Sequence, residues 1–294
     1  MAEAPIILFC AGATKAGTSW LWEYLQGHPE SHLRSIKELG FFGSNYPDRL
    51  AFRARRMERE IADLNAELAV GTAKWPNWLR RQRVDREEYR AALLSADPLA
   101  GYLRYLLSGA EGRKLVADLT PEYGLVPTER MVEMTALGNV RWILSLRDPV
   151  ERLWSHVRML VRRMKPAPAD FAAACAAKFD EVLAGDAEDV TVRSDYAGIH
   201  RRLVQAVPKE RQLVVFYEDL ISQSGVDRVT RFLGLARHEA NTDKRVHAGI
   251  ALAMPAPLRQ RARDWLMPQY DYVSREFGLP RAWERFPELK SEVP

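Results

Sequence analysis

Between an apolar run at residues 6–10 and an amphipathic segment that starts at Thr18 lies Gly12-Ala13-Thr14-Lys15-Ala16-Gly17-Thr18-Ser19. Two glycines let backbone amides converge, a helix start adds further amides at the same point, and Lys15 contributes a full positive charge, which together suit a phosphate-like anion. Compared with the nucleotide-binding pattern G-x-x-x-x-G-K-[ST], both glycines and Ser19 fit, but Thr18 stands at the lysine position and the lysine lies inside the loop. A second cation, Arg147, follows the apolar run 140–146 and precedes Asp148-Pro149-Val150-Glu151. In triphosphate enzymes an acid at a strand end helps to hold magnesium. Here that place is taken by an arginine, while Asp148, with Pro at N1 and Glu at N3, reads as a helix cap. The pattern predicts a metal-free site for a 5′-phosphate-type group with a second cationic anchor at Arg147.

Lys15-Ala16-Gly17-Thr18-Ser19-Trp20-Leu21 resembles the 5′-phosphosulfate loop, commonly K-x-G-T-[ST]-x-L, of the sulfotransferases that use 3′-phosphoadenosine 5′-phosphosulfate. Arg147-Asp148-Pro149-Val150-Glu151-Arg152-Leu153-Trp154-Ser155-His156 resembles their 3′-phosphate motif, commonly R-[DN]-P-x-[ED]-R-x-x-S. The two motifs occur in the family's order, each at a strand-to-helix junction. The match is nearest to the branch that holds heparan sulfate sulfotransferase domains and many bacterial relatives.

The resemblance implies a role for each matching position. Ala16, Gly17, Thr18, Ser19 and Trp20 would bind the 5′-phosphosulfate through amides and hydroxyls, and Lys15 would stabilise the bridging oxygen as the phosphate leaves. Arg147 and Ser155 would grip the 3′-phosphate. Glu38, in Lys37-Glu38-Leu39-Gly40-Phe41-Phe42, resembles the branch's general base, which takes the acceptor's proton as the new bond forms. Tyr196 would lie near the adenosine, and Lys244 and Arg245 would belong to a late loop over the nucleotide. Asp118-Leu119-Thr120-Pro121-Glu122-Tyr123 resembles the family's [ED]-K-[ST]-P-x-Y, with Leu119 where heparan enzymes carry a lysine. The implied reaction is in-line sulfuryl transfer to a hydroxyl or amine, with saccharide, lipid, phenol and small alcohol acceptors all open. Two other readings stay open: a magnesium-dependent P-loop small-molecule kinase with a degenerate loop, and a nucleotide-binding protein without chemistry.

The elements that must position these residues alternate. Strands are predicted at 6–10, 115–117, 140–146 and 213–216, and helices at 18–25, 48–69, 127–137, from 149 onward, at 224–233 and at 257–277. This is an α/β fold: a P-loop-like parallel sheet flanked by helices in a single domain, with a mostly helical insert at 48–113 as a candidate for the acceptor side. Within the insert, residues 74–90 break the regular pattern. Trp75 and Trp78 are expected to pack the insert onto the domain, and the arginines of 49–59 and 80–86 to form solvated faces.

Composition bounds the rest. In 294 residues, 43 Lys and Arg against 39 Asp and Glu leave a net charge of +4, too little for a nucleic-acid coat, and no nucleic-acid partner is expected. Cys10 and Cys175 are the only cysteines, too few for a disulfide framework, and Cys175 is expected in the core. His28, His32 and His156 are expected to be surface or packing residues rather than catalysts. No stretch approaches the roughly 20 apolar residues of a membrane span, so a soluble, cytoplasmic protein of open oligomeric state is expected.

Overall fold

The computed structural model describes residues 4–43, 47–72, 74–243 and 249–284. In chain order they form β1 (Ile6–Cys10), α1 (Thr18–Gly27), β2 (Ser31–His32), α2 (Leu50–Ala69), α3 (Pro76–Leu93), α4 (Pro98–Leu107), β3 (Leu115–Asp118), α5 (Thr128–Thr135), β4 (Val140–Leu146), α6 (Pro149–Met164), α7 (Phe171–Ala184), α8 (Glu188–Val192), α9 (Tyr196–Ala206), β5 (Gln212–Phe216), α10 (Tyr217–Leu220), α11 (Gln223–Phe232), α12 (Ala256–Phe277) and α13 (Arg281–Glu284).

The strands make one parallel sheet in the order β2-β3-β1-β4-β5. β1 is central and reads Ile-Ile-Leu-Phe-Cys because both faces are covered and every residue is buried. Ile7 and Phe9 pack on one side with Trp142, Leu144 and the helices of the larger core. Ile6, Leu8 and Cys10 pack on the other with Leu21 and Leu25 of α1 and Val226 and Val229 of α11. Because β1 runs parallel between β3 and β4, the crevice at its carboxyl end is where such sheets bind ligands. Among the described residues no helix is long and apolar enough to cross a membrane.

The cap expected at Asp148 is present: its Oδ1 accepts from the Glu151 amide at 2.9 Å, and its Oδ2 accepts from the Tyr270 hydroxyl at 2.8 Å. The return bond of a capping box is not made, since the Glu151 carboxylate pairs with Arg259 at 2.6 Å instead.

The insert corrects the sequence reading twice. Residues 76–93 form one continuous helix rather than an irregular stretch. Its buried positions, Leu79, Asp85, Tyr89, Ala92 and Leu93, keep a helical spacing, but Asp85 fills one of them and hides the period from a hydrophobicity pattern. α2 and α3 pair as an antiparallel hairpin, with Arg86 on Glu60 at 2.7 Å and Arg90 on Glu58 at 3.6 Å. Trp75 and Trp78, expected to pack, are 65% and 58% exposed. They sit at the hairpin's distal end, whereas the fully buried residues of α2 stop at Met57.

Gly124, in the turn after β3, passes so close to the strand-to-loop junction that an added Cβ would lie 2.0 Å from the carbonyl oxygen of Ala11. Both partners are backbone, so neither can rotate away. Gly124→Ala is expected to cost about 1–3 kcal/mol or more and to lower Tm in a thermal melt; an unchanged Tm would contradict this packing.

Candidate active site

The loop after β1 is tied to β4 by three hydrogen bonds. The Ala13 amide donates to Ser145 O at 2.7 Å, the Ser145 amide to Gly12 O at 2.8 Å, and the Ser145 hydroxyl to Ala16 O at 2.6 Å. Gly12, Lys15 and Gly17 take positive φ values of 104°, 71° and 85°, turning the chain back into α1. At Gly17 glycine is needed twice over, because a Cβ would also meet the Tyr217 ring at 2.7 Å. Gly17 is the N-cap of α1 and no side chain caps that end, so the first-turn amides of Thr18, Ser19 and Trp20 are not taken by a side-chain cap. The Trp20 ring itself is buried and stacks on Tyr24.

Arg147 leaves the end of β4 and reaches the same loop, its Nη1 donating to Lys15 O at 3.3 Å. Its guanidinium lies 4.6 Å from the centre of the Tyr217 ring and 4.0 Å from the Glu151 carboxylate. Tyr196 is fully buried behind it, and its hydroxyl donates to Arg147 O at 2.7 Å, so it holds the arginine's backbone in place. Ser155 lies half-buried on α6, seven residues after Asp148 and therefore on the same helical face, close to two turns along. Lys244 and Arg245 lie outside the described residues.

Charge is concentrated here. Burial, and then the neighbouring cations Lys37, Arg162 and Arg147, hold the Lys15 pKa below its usual value, with Glu38 acting in the opposite sense. Arg152, one helical turn before Ser155 and His156, is fully buried; its Nη2 donates to the Ser194 hydroxyl, while Nε and Nη1 have no partner among the described residues. Burial lowers its pKa to about 10. His156 is packed, as expected, with its pKa pushed down to about 3 by burial, with Arg152, Arg193 and Lys15 adding to the effect.

Glu38 comes from the segment after β2 and belongs to the same charged neighbourhood. Its side chain is about half exposed, and Lys37 Nζ lies 2.6 Å from its Oε1. Its φ of 59° is unusual for a non-glycine residue, and the segment is clamped on both sides. Upstream, Asp85 of α3 accepts from the amide of Ser35 at 2.7 Å and that of Ile36 at 3.2 Å. Downstream, Leu39 O accepts from Tyr89 at 3.0 Å and from Arg53 at 3.3 Å, and the Gly40 amide donates to Thr120 Oγ1 at 3.0 Å. Thr120 in turn donates to Asp118 at 2.6 Å, a buried carboxylate that also accepts from Tyr102 and Tyr123. Burial raises the Asp118 pKa, and these three hydroxyls oppose the rise. Leu119, at the heparan branch's lysine position, is buried in the apolar core.

The loops after the parallel strands thus gather at the carboxyl end of the sheet. Residues 5–239 match the family model described as the Sulfotransferase family. The chain belongs to the sulfotransferase family. It is 25% identical over 154 residues to the membrane-associated sulfotransferase kil1 of Dictyostelium discoideum, a stretch covering 52% of this chain and 23% of that protein. In fold it is similar to a sulfotransferase from Alicyclobacillus acidocaldarius, with a TM-score of 0.63 at 20% identity, covering 97% of this chain and all of that one.

For this sulfotransferase-family site, the sequence points to Lys15, Glu38 and Arg147, which the structure brings to the carboxyl end of the sheet. It does not reveal Ser145, Tyr217, Arg53 or Asp85, whose partners lie far away along the chain. Next to the turn Pro121–Leu125, a cleft of about 350 Å³ is lined by Glu122, Leu125, Val192, Arg193, Asp195 and Arg202. Among the described residues no group of three or more His, Cys, Asp or Glu could hold a metal ion.

His156 yields a pH test. It is neutral in the fold down to about pH 3, whereas an unfolded histidine takes up a proton below about pH 6.5. Its contribution to stability is therefore present above pH 6.5 and is lost as pH falls toward 3, by up to about 1.4 kcal/mol per pH unit. Chemical denaturation across that range should show a shallower loss for His156→Gln than for the wild type; parallel curves would contradict the assignment.

Proposed function

We propose that this chain transfers a sulfuryl group from 3′-phosphoadenosine 5′-phosphosulfate to a hydroxyl or amine acceptor. The observation that carries the reading is the meeting of Lys15 and Arg147 across neighbouring strand ends, with Arg147 Nη1 3.3 Å from Lys15 O. The residues present suit the donor. Burial and the nearby Lys37, Arg162 and Arg147 disfavour the charge on Lys15 until an anion arrives, and the uncapped start of α1 supplies amides beside it.

When bound, the donor supplies an activated sulfuryl group. The start of α1, from Gly17 to Trp20, would hold the 5′-phosphosulfate, with Ala16 fixed through its carbonyl by Ser145. Arg147 and Ser155 would hold the 3′-phosphate, and Tyr196 would serve by fixing the Arg147 backbone rather than by touching the base. Lys244 and Arg245 remain candidates for a covering loop. Lys15 would neutralise the charge that develops on the leaving phosphate oxygen. Glu38 would accept the acceptor's proton as the acceptor atom bonds to sulfur and the sulfur–oxygen bond to the phosphate breaks on the opposite side. Lys37 keeps the carboxylate aimed meanwhile. No metal enters this scheme, and both oxygens of Asp148 are engaged by Glu151 and Tyr270. A cytoplasmic location belongs to the same reading, consistent with Cys10 and Cys175 as free thiols in separate cores.

Calorimetry tests the nucleotide. Adenosine 3′,5′-bisphosphate should bind about tenfold or more tightly than adenosine 5′-monophosphate, and Arg147→Ala should remove the difference. Equal wild-type affinities would defeat the 3′-phosphate grip, and magnesium-dependent ATP consumption would favour the kinase alternative.

Turnover tests the chemistry, with products heavier by one sulfuryl group followed by mass spectrometry. Glu38→Gln should lower kcat by about 10²–10⁴-fold while bisphosphate binding survives. Lys15→Ala should also lower kcat. A Glu38→Gln variant that loses nucleotide binding would make the residue structural.

A further inference from the structure

We infer that the distal end of the α2–α3 hairpin is a docking surface for an anionic lipid bilayer. Three large apolar side chains, Val70, Trp75 and Trp78, are 70%, 65% and 58% exposed there, at the C-cap of α2 and the start of α3. Exposure of this extent is uncommon for tryptophan, and three such residues at one end form a patch rather than scattered contacts. The end stands clear of the core: of the residues of α2, only Leu50, Ala54 and Met57 are fully buried.

Charge identifies the occupant. Between Glu67 and Arg81 lie three exposed cations, Lys74, Arg80 and Arg81, against a single acid, Glu67. On the same hairpin Arg56, Arg83, Arg86 and Arg90 pair with glutamates, whereas among the described residues no ion pair involves Lys74, Arg80 or Arg81, nor Arg55 or Arg59 farther along α2. Lys74 Nζ sits 5.7 Å from the centre of the Trp75 ring, and Arg80 donates to the Asn77 side chain at 2.9 Å. Indoles flanked by unpaired cations match the two layers of an anionic membrane surface. The rings settle at headgroup depth and the cations meet the lipid phosphates and carboxylates. A second copy of this chain fits less well, because a two-fold, end-to-end contact would set these cations against themselves.

The full-length protein, incubated with sucrose-loaded vesicles of phosphatidylcholine with or without phosphatidylserine, should sediment with the anionic vesicles at low salt. It should stay in solution with the neutral ones, and added salt should release it. Trp75→Ala/Trp78→Ala should weaken that association about tenfold or more with Tm unchanged, since both rings are exposed. Lys74→Glu/Arg80→Glu/Arg81→Glu should abolish the preference for phosphatidylserine. Failure of the wild type to sediment with anionic vesicles would overturn the inference, as would sedimentation of the tryptophan variant at the wild-type level. A lipid-free dimer in analytical ultracentrifugation that disappears in the tryptophan variant would reassign the surface to a second copy.

Discussion

Like charges held together are the constraint on which the site depends. Lys37, Arg147 and Arg162 crowd Lys15, which Glu38 opposes, while Glu38 pairs with Lys37 and Glu151 lies 4.0 Å from Arg147. An arrangement of this kind raises the free energy of the empty fold, so something rigid must hold it. The rigidity comes from β4, whose Ser145 makes three hydrogen bonds to the loop, and from β1, buried on both faces. A surface loop could not keep such a cluster in register; a loop anchored to the centre of a parallel sheet can.

The carboxylate side is held differently. Glu38 lies on a short irregular segment after a two-residue edge strand, where the sheet offers little support. Support comes instead from the insert, through Asp85, Tyr89 and Arg53, and from the buried Asp118 network through Thr120. The Asp118 carboxylate stays in the interior because three hydroxyls donate to it, so a polar network takes the place that packing fills elsewhere.

What was legible in the sequence follows from range. The strand–loop–helix frame, the Asp148 cap and the motifs around Lys15 and Arg147 are local patterns, and each is readable from a few consecutive residues. The helix α3 is local too, yet it escapes notice because Asp85, a charged residue, occupies a buried position that a hydrophobicity reading counts as solvent. Trp75 and Trp78 mislead in the opposite sense, being apolar and exposed. The supports of Glu38 and Arg147 are illegible for another reason: Asp85 lies 50 residues from Ser35, and Tyr196 lies 49 from Arg147, so only the folded topology brings them together.

The bond from Asp85 to Ser35 also limits how this protein can be re-engineered or diversify. Helices 2 to 4 look like a cassette laid over the parallel-sheet core, available for exchange. Yet the same helices carry the carboxylate, phenol and guanidinium that set the backbone around Glu38. A transplanted cassette lacking those three groups would bring a new surface and leave the segment bearing Glu38 without its splint.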